Sequence, residues 1–319
     1  MRQSARATTI ELVICAILCA GCAASGTEST GLEGNTRPTS AASATARPLT
    51  LKKPAAKGST TPKPTATHAA AAATHKATES AEQLLTSAVA TDVTNDDDHV
   101  AIAVDDLTNG QFASYGGHDE FVTASIVKVD ILATLLYQLQ QADSQLSPGE
   151  EALATTMIEN SDNDAASALY DDDGESSGID TADQSFGLTG TTAGTDGYWG
   201  LTTTTPDDQV RLLRQVFTSQ TILTPASQSY VQGLMSQVES DQQWGVPSAA
   251  DSGTSFAVKN GWLPNPDLWE INSIGEVTHQ GQRMLIAVLS SDNETEDGGI
   301  SLIEAVAGKA ANAVAAYGK

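Results

Sequence analysis

The sequence predicts an α+β domain: an antiparallel β-sheet flanked by terminal helices, with an all-helical subdomain inserted into it. Three observations predict it. Strand-like stretches sit at both ends of the region after residue 80, HVAIAVDDLTNGQFASYGG early and SFAVKNGWL, LWEINSIGEVTHQG and QRMLIAVLSSD late. Between them the apolar residues recur at helical spacing. The strands are joined by tight turns rather than by helical crossovers, which makes the sheet antiparallel.

Taken in order, AEQLLTSAVATDV has apolar residues at helical spacing and predicts the N-terminal helix. The next stretch alternates around Asn109-Gly110, a dipeptide suited to a two-residue hairpin turn. SIVKVDILATLLYQLQQ predicts a long helix with a wide apolar face. After a Ser-Pro-Gly break, GEEALATTMIENSDNDAASALYDDD predicts a helix, a turn at Ser161-Asp162-Asn163 and a second helix. DDDGESSG, with Glu175, reads as a solvated acidic loop. TTTTPDDQVRLLRQVFTS carries a helix start, Thr205 as the cap and Pro206 at the first helical position. TPASQSYVQGLMSQV starts in a similar way. The last two strands meet at Gln280-Gly281, and ISLIEAVAGKAANAVAAYG closes the chain as a helix. No internal repeat is evident.

Composition divides the 319 residues into three parts. Residues 1–22, MRQSARATTIELVICAILCAGC, have the form of an export signal. Arg2 and Arg6 precede an apolar core too short to span a bilayer stably. The segment ends in CAGC, which resembles a bacterial lipobox with Cys19 where leucine is usual. This predicts a diacylglycerol-modified Cys22 and an exported protein tethered to the outer face of the cell membrane. Ordinary secretory cleavage near the same place is the competing reading. The three cysteines, Cys15, Cys19 and Cys22, all lie in this segment, so the rest has no disulfide and no thiolate chemistry.

Residues 23–80 are rich in Ala, Thr, Ser, Pro and Lys, with too few large apolar side chains to offset the entropy of ordering. They predict a disordered linker, basic through Lys52, Lys53, Lys57, Lys63 and Lys76. Its role is either that of a solubilising spacer or of a segment resting near anionic lipid or wall polymer. Residues 81–319 are strongly acidic and large enough for one substantial core. That balance excludes a nucleic-acid partner, which needs clustered Lys and Arg. The only lysines of this region are Lys128, Lys259, Lys309 and Lys319.

Three short motifs carry chemistry. In TASIVKV, Ser125 and Lys128 are three apart, so on a helix they share one face. A serine hydroxyl becomes nucleophilic only when a base takes its proton. A lysine is such a base only if burial or a nearby cation lowers its pKa, and the first turn of a buried helix supplies desolvation and an unfavourable dipole. Ser161-Asp162-Asn163 between two helices serves equally as a plain cap. Lys259-Asn260-Gly261 interrupts an apolar stretch, where an inner-strand lysine needs a partner and the glycine admits a close neighbour. A charge guarding an edge strand is the other reading of that lysine.

In this order, S-x-x-K, S-D-N and K-x-G resemble the signature of the serine β-lactamase and penicillin-binding protein superfamily. SIVKVDIL, ENSDNDAA and VKNGWLP are most similar to class A-like proteins of actinobacterial type, over roughly residues 81–319. The resemblance implies a β-lactamase/transpeptidase-like fold. It implies Ser125 as the acylated nucleophile and Lys128 as its base or proton relay. Ser161, linked to Lys259, would pass a proton to the leaving nitrogen, and Asn163 would bind the acylamide side chain. The N–H groups of Ser125 and Trp262 would form the oxyanion hole. Lys259, Asn260 and Gly261 would receive the substrate, Lys259 attracting its carboxylate.

The chain also departs from that pattern. The stretch SFGLTGTTAGTDGYWGLTTTTP, where family lactamases carry the glutamate that activates the deacylating water, contains none. Asp196 is the candidate at a comparable distance, although beside Gly197 it reads better as a turn residue. Asn260 replaces the usual Thr or Ser, whose hydroxyl contacts the substrate carboxylate. The short interval from Ser125 to Ser161 implies a reduced helical half and a more open cleft, with Trp262, Trp199 and Tyr198 either lining it or packed at its rim or in the core. Three functions follow: a serine hydrolase acting on β-lactams or a related amide or ester, a D,D-peptidase or esterase of the same fold, and a tethered module that binds β-lactams or peptidoglycan fragments without turnover. The missing glutamate favours the last two. His99, His118 and His279 lie outside any motif, and no metal spacing or nucleotide loop is present, so the expectation is no metal, no cofactor, a small-molecule partner and a monomer.

Overall fold

A computed structural model describes residues 80–90, 93 and 99–317. The export signal, Cys22 and, save for Ser80, the linker lie outside the described residues. Helix α1 (Ala81–Val89) begins at Ser80, whose hydroxyl accepts from Gln83 N (3.1 Å) while the Gln83 side chain accepts from Ser80 N (2.9 Å). This reciprocal cap satisfies two donors that a helix start leaves open. Strands β1 (His99–Asp106) and β2 (Gln111–Tyr115) form the hairpin around Asn109-Gly110, with Gly110 in the left-handed region.

The C-terminal strands are β5 (Ala257–Asn265), β6 (Leu268–His279) and β7 (Gln282–Asn293), counted after two short strands, β3 (Phe121–Val122) and β4 (Thr203–Thr204). All neighbours in the main sheet are antiparallel, in the order β2-β1-β7-β6-β5. Strands from both ends of the chain therefore meet at β1 and β7, in register from His99 opposite Ser291 to Asp106 opposite Met284. Side chains of β1 alternate between two cores. Val100, Ile102 and Val104 pack with α1 and the closing helix α8 (Glu296–Ala316), while Ala101 and Ala103 face the helical half. Because both faces are covered, β1 is buried along nearly its whole length. Small residues on α8, Gly299, Ala307, Ala310 and Ala311, let it lie close against the sheet.

The inserted helices are α2 (Val127–Gln141), α3 (Pro148–Glu159), α4 (Asn163–Asp172), α5 (Glu175–Phe186), α6 (Pro206–Phe217) and α7 (Pro225–Met235). Helix α2 is buried without interruption from Val127 to Leu136 because α3, α4, α5 and α7 surround it. Its first turn is thereby held inside the protein. Thr205 and Pro206 start α6 as expected, the Thr205 hydroxyl accepting from Asp208 N at 3.2 Å.

One expectation needs correction, one open choice is decided and one feature is new. The acidic stretch around Glu175 is not a solvated loop but the start of α5, after Gly174 in the left-handed region. Ile179, Ala182, Asp183 and Phe186 form its buried face, a helical period that the run of aspartates obscured. The strand carrying Lys259 is the sheet edge, not an inner strand. Its lysine is nevertheless fully buried, because the helical half covers that edge. The ladder of β3 with β4, Phe121 opposite Thr204, was unforeseen.

Candidate active site

Ser125 lies in a single 3-10 turn, Ala124–Ile126, that runs directly into α2. Several fixed contacts hold this turn. Thr123 N donates to Thr202 O at 2.8 Å. Asn272 of β6, wholly buried, donates to the carbonyls of Val122 (2.8 Å) and Thr123 (3.1 Å), and its own carbonyl accepts from Ser290 N. Ala124 then takes a left-handed backbone (φ 47°), a costly conformation that persists only where the surroundings enforce it.

The Lys128 amine sits 3.0 Å from Ser125 Oγ, 2.6 Å from Ser161 O, 3.1 Å from Ser161 Oγ and 2.8 Å from Asn163 Oδ1. A neutral amine has two hydrogens and one lone pair. Two hydrogens directed to Ser161 O and Asn163 Oδ1 leave the lone pair to accept from the Ser125 hydroxyl. Burial pulls the Lys128 pKa from 10.5 down to about 7, against the nearby Asp162 carboxylate, which favours the charged form.

Ser161 takes a left-handed backbone as well (φ 58°), and Asp162 behind it caps α4, its carboxylate accepting from Ala165 N at 2.7 Å. The S-D-N turn is thus a cap through its aspartate and a site through its other two members. The amine of Lys259 donates to Ser161 Oγ (2.9 Å) and to Asn260 O (2.9 Å). Burial, with Lys128 alongside, holds its pKa well below the usual lysine value.

Gly261 is required by contact. A Cβ there would stand 2.7 Å from Ser125 N, 2.7 Å from Thr123 O and 2.9 Å from Ile126 N, all backbone atoms that cannot yield. The strand therefore lies directly against the nucleophile turn. The Asn260 carbonyl, used by Lys259, belongs to the unpaired edge of β5, and alternation puts the Trp262 N–H on that same edge. Trp262 itself packs edge-on against Trp244, ring centres 6.0 Å apart.

Not every predicted residue joins this cluster. Asn260 is fully buried and donates to Gln242 O (2.8 Å) and Trp244 O (3.0 Å), which spends both amide hydrogens on the protein. The substrate contact assigned to its side chain is therefore corrected to a structural role. Asp196 stands exposed in a turn with a left-handed backbone and pairs with the adjacent Thr195 hydroxyl. The group over Lys128 is instead Trp199, whose ring centre is 4.9 Å from the amine and whose Nε1 donates to Ser167 Oγ at 3.1 Å. Trp199 was expected either to line the cleft or to pack at its rim or in the core, and it lines the cleft. Asn272 escaped sequence reasoning entirely; its one signal was a polar residue in the apolar run LWEINSIG. Among the described residues, no group of three or more His, Cys, Asp or Glu is placed to hold a metal ion.

Comparison with known proteins agrees with this geometry. A model described as the beta-lactamase enzyme family matches residues 83–150 and 148–314. LppW of Mycobacterium tuberculosis and of Mycobacterium bovis, named as a candidate lipoprotein, is 26% identical over 173 residues, covering 51% of this chain. The chain thus spans about half the length, 54%, of the curated relatives it matches. A class A beta-lactamase from Bacteroides cellulosilyticus superposes with a TM-score of 0.65 at 17% identity, covering 74% of this chain and 99% of that one. PBP-A superposes with a TM-score of 0.63 at 20% identity, covering 72% and 95%, and a mutant of it was captured as an acyl-enzyme with penicillin G. At these identities the superpositions show a common fold.

Proposed function

We propose that this chain, a member of the beta-lactamase enzyme family, is a serine hydrolase that forms an acyl-enzyme on Ser125 and releases it slowly. The observation that carries the reading is the closed network Ser125–Lys128–Ser161–Lys259, with each contact between 2.9 and 3.1 Å. The Ser125 hydroxyl proton passes to the neutral Lys128 amine as Oγ bonds to the substrate carbonyl carbon. The N–H groups of Ser125 and Trp262 receive the developing oxyanion. As the carbon–nitrogen or carbon–oxygen bond breaks, Ser161 gives its proton to the leaving atom and regains one from the protonated lysine beside it. Asn163, on the same amine, is the candidate contact for the acyl side chain.

Deacylation requires a base to activate water on the acyl carbon. An indole, not a carboxylate, covers Lys128, and Asp196 pairs with its neighbour in a turn. This favours a penicillin-binding type of enzyme over one that turns over rapidly. Incubated with a large excess of penicillin, the full-length protein should gain one penicilloyl mass on Ser125, and the Ser125→Ala variant none. Absence of the adduct would sink the acyl-enzyme reading. Nitrocefin followed in time should show one burst per protein; sustained turnover would mean that another group activates water.

The export signal and the LppW similarity support an extracytoplasmic lipoprotein anchored through Cys22. Cys22→Ala should release the protein into the medium, and continued membrane association would refute the anchor.

A further inference from the structure

The geometry points to an acyl donor without a carboxylate beside the bond that breaks, namely an uncharged or cationic ester or amide. This inference rests on the acyl-enzyme reading and names the substrate class for it.

A carboxylate bound next to the nucleophile needs cationic groups and spare hydrogen-bond donors. The two side chains expected to supply them, Lys259 and Asn260, are already spent on the protein. Lys259 is wholly enclosed and already donates to Ser161 Oγ and Asn260 O. Asn260, which stands where a hydroxyl donor is expected, gives its amide hydrogens to Gln242 O and Trp244 O. Its remaining polar atom, Oδ1, is buried and out of reach of a ligand, so the side chain offers a carboxylate no donor.

The arginines do not make good the loss. Arg211 pairs with Asp208, Arg214 with Asp105 at 2.6 Å and Arg283 with Glu276 at 2.8 Å. Arg211 and Arg214 belong to α6 and Arg283 to the far end of β7, paired opposite Thr278. Beside Lys128 the exposed charge is the Asp162 carboxylate. Residues 81–319 carry 36 Asp and Glu against seven Lys and Arg, so an approaching anion meets a repelling field.

The rim completes the description. Tyr198 (62% exposed) and Leu201 (50% exposed) flank Trp199, and the Trp262–Trp244 pair stands on the strand side. Large apolar side chains showing this much surface near a nucleophile suit an apolar substrate flank.

The test compares matched pairs on the full-length protein: benzylpenicillin with its methyl ester, and a thioester bearing a thioglycolate leaving group with its methyl ester. The rate of Ser125 acylation is read by intact mass at low ionic strength. The esters are expected to react about tenfold faster than the free acids, with the gap narrowing as salt screens the field. Asn260→Thr, which restores a hydroxyl donor, should narrow it further. Equal rates, faster free acids, or inert esters on a protein whose Ser125 a neutral fluorophosphonate labels would each overturn the inference. Failure of the fluorophosphonate itself to label Ser125 would strike the acyl-enzyme reading instead.

Discussion

Lys128 shows how one buried residue trades stability for chemistry. Its amine is useful because burial lowers its pKa to about 7, and the same burial makes the ammonium expensive. A lysine whose folded pKa lies below the unfolded value destabilises the fold. That penalty is complete below about pH 7 and is relieved as pH rises toward the unfolded value, 10.5. Lys128→Met keeps the bulk and removes both the base and the penalty. Acylation should fall by about 10² to 10⁴-fold, the usual contribution of a positioned base. Thermal stability at pH 6 should be equal to or above that of the parent, and this advantage should fade by pH 10. In the parent, acylation should rise with pH to a plateau above about 7. A variant that loses stability at pH 6 would mean that the contacts to Ser161 and Asn163 outweigh the cost of burial.

Among the elements, α2 joins the site to an unusual interior. Two residues beyond Lys128, Asp130 is fully buried, and its carboxyl group lies against that of Asp183 on α5, with Asp173 also enclosed nearby. Burial pushes all three pKa values up; Asp180 and Asp208 add to this at Asp130, and Asp130 adds to it at Asp183 and Asp173. The hydrogen bond with Asp183 draws Asp130 partway back, the pattern of two carboxyl groups that share a proton rather than ionise together. The folded state then binds more protons than the unfolded one above about pH 4. Stability from these groups is complete below the unfolded carboxylate range and is lost as pH rises through the raised values. Asp130→Asn replaces the shared proton by a fixed donor. Urea unfolding should show a gain at pH 8 and none at pH 4; a loss at pH 8 would contradict the shared proton. None of this was legible in the sequence. Periodicity announced α2 and the cap of α6, because apolar residues and Thr205-Pro206 act locally. It failed at α5, where buried aspartates break the rule that charge means solvent. The motifs exposed Ser125, Lys128, Ser161 and Lys259, and Trp199 was placed at the cleft but not over the amine, yet Asn272 stayed hidden, since these contacts join residues far apart in the chain.

At the scale of the whole molecule the governing quantity is charge. The formal net charge is −24, and it is more extreme in residues 81–319, where acidic residues outnumber basic ones 36 to seven. The three arginine pairs are partly exposed, and such pairs contribute about 0–1 kcal/mol each. They cannot offset the repulsion among the many carboxylates left over, which weakens the compact state. Salt acts on these opposing terms unequally. It screens a contact pair weakly, but it removes repulsion between charges farther apart than the Debye length, which falls from about 10 Å at 0.1 M to about 3 Å at 1 M. Unfolding temperature should therefore climb as sodium chloride is raised across that range, when measured near pH 7 by calorimetry. Chloride is the right anion, because sulfate would stabilise any fold by exclusion from its surface. A charge-reversal series on exposed carboxylates, Asp172→Lys at the C-terminal end of α4 and Glu294→Lys ahead of α8, should raise the low-salt value and flatten the salt dependence. A melting temperature that falls with salt would place the stability in the ion pairs rather than against the self-repulsion.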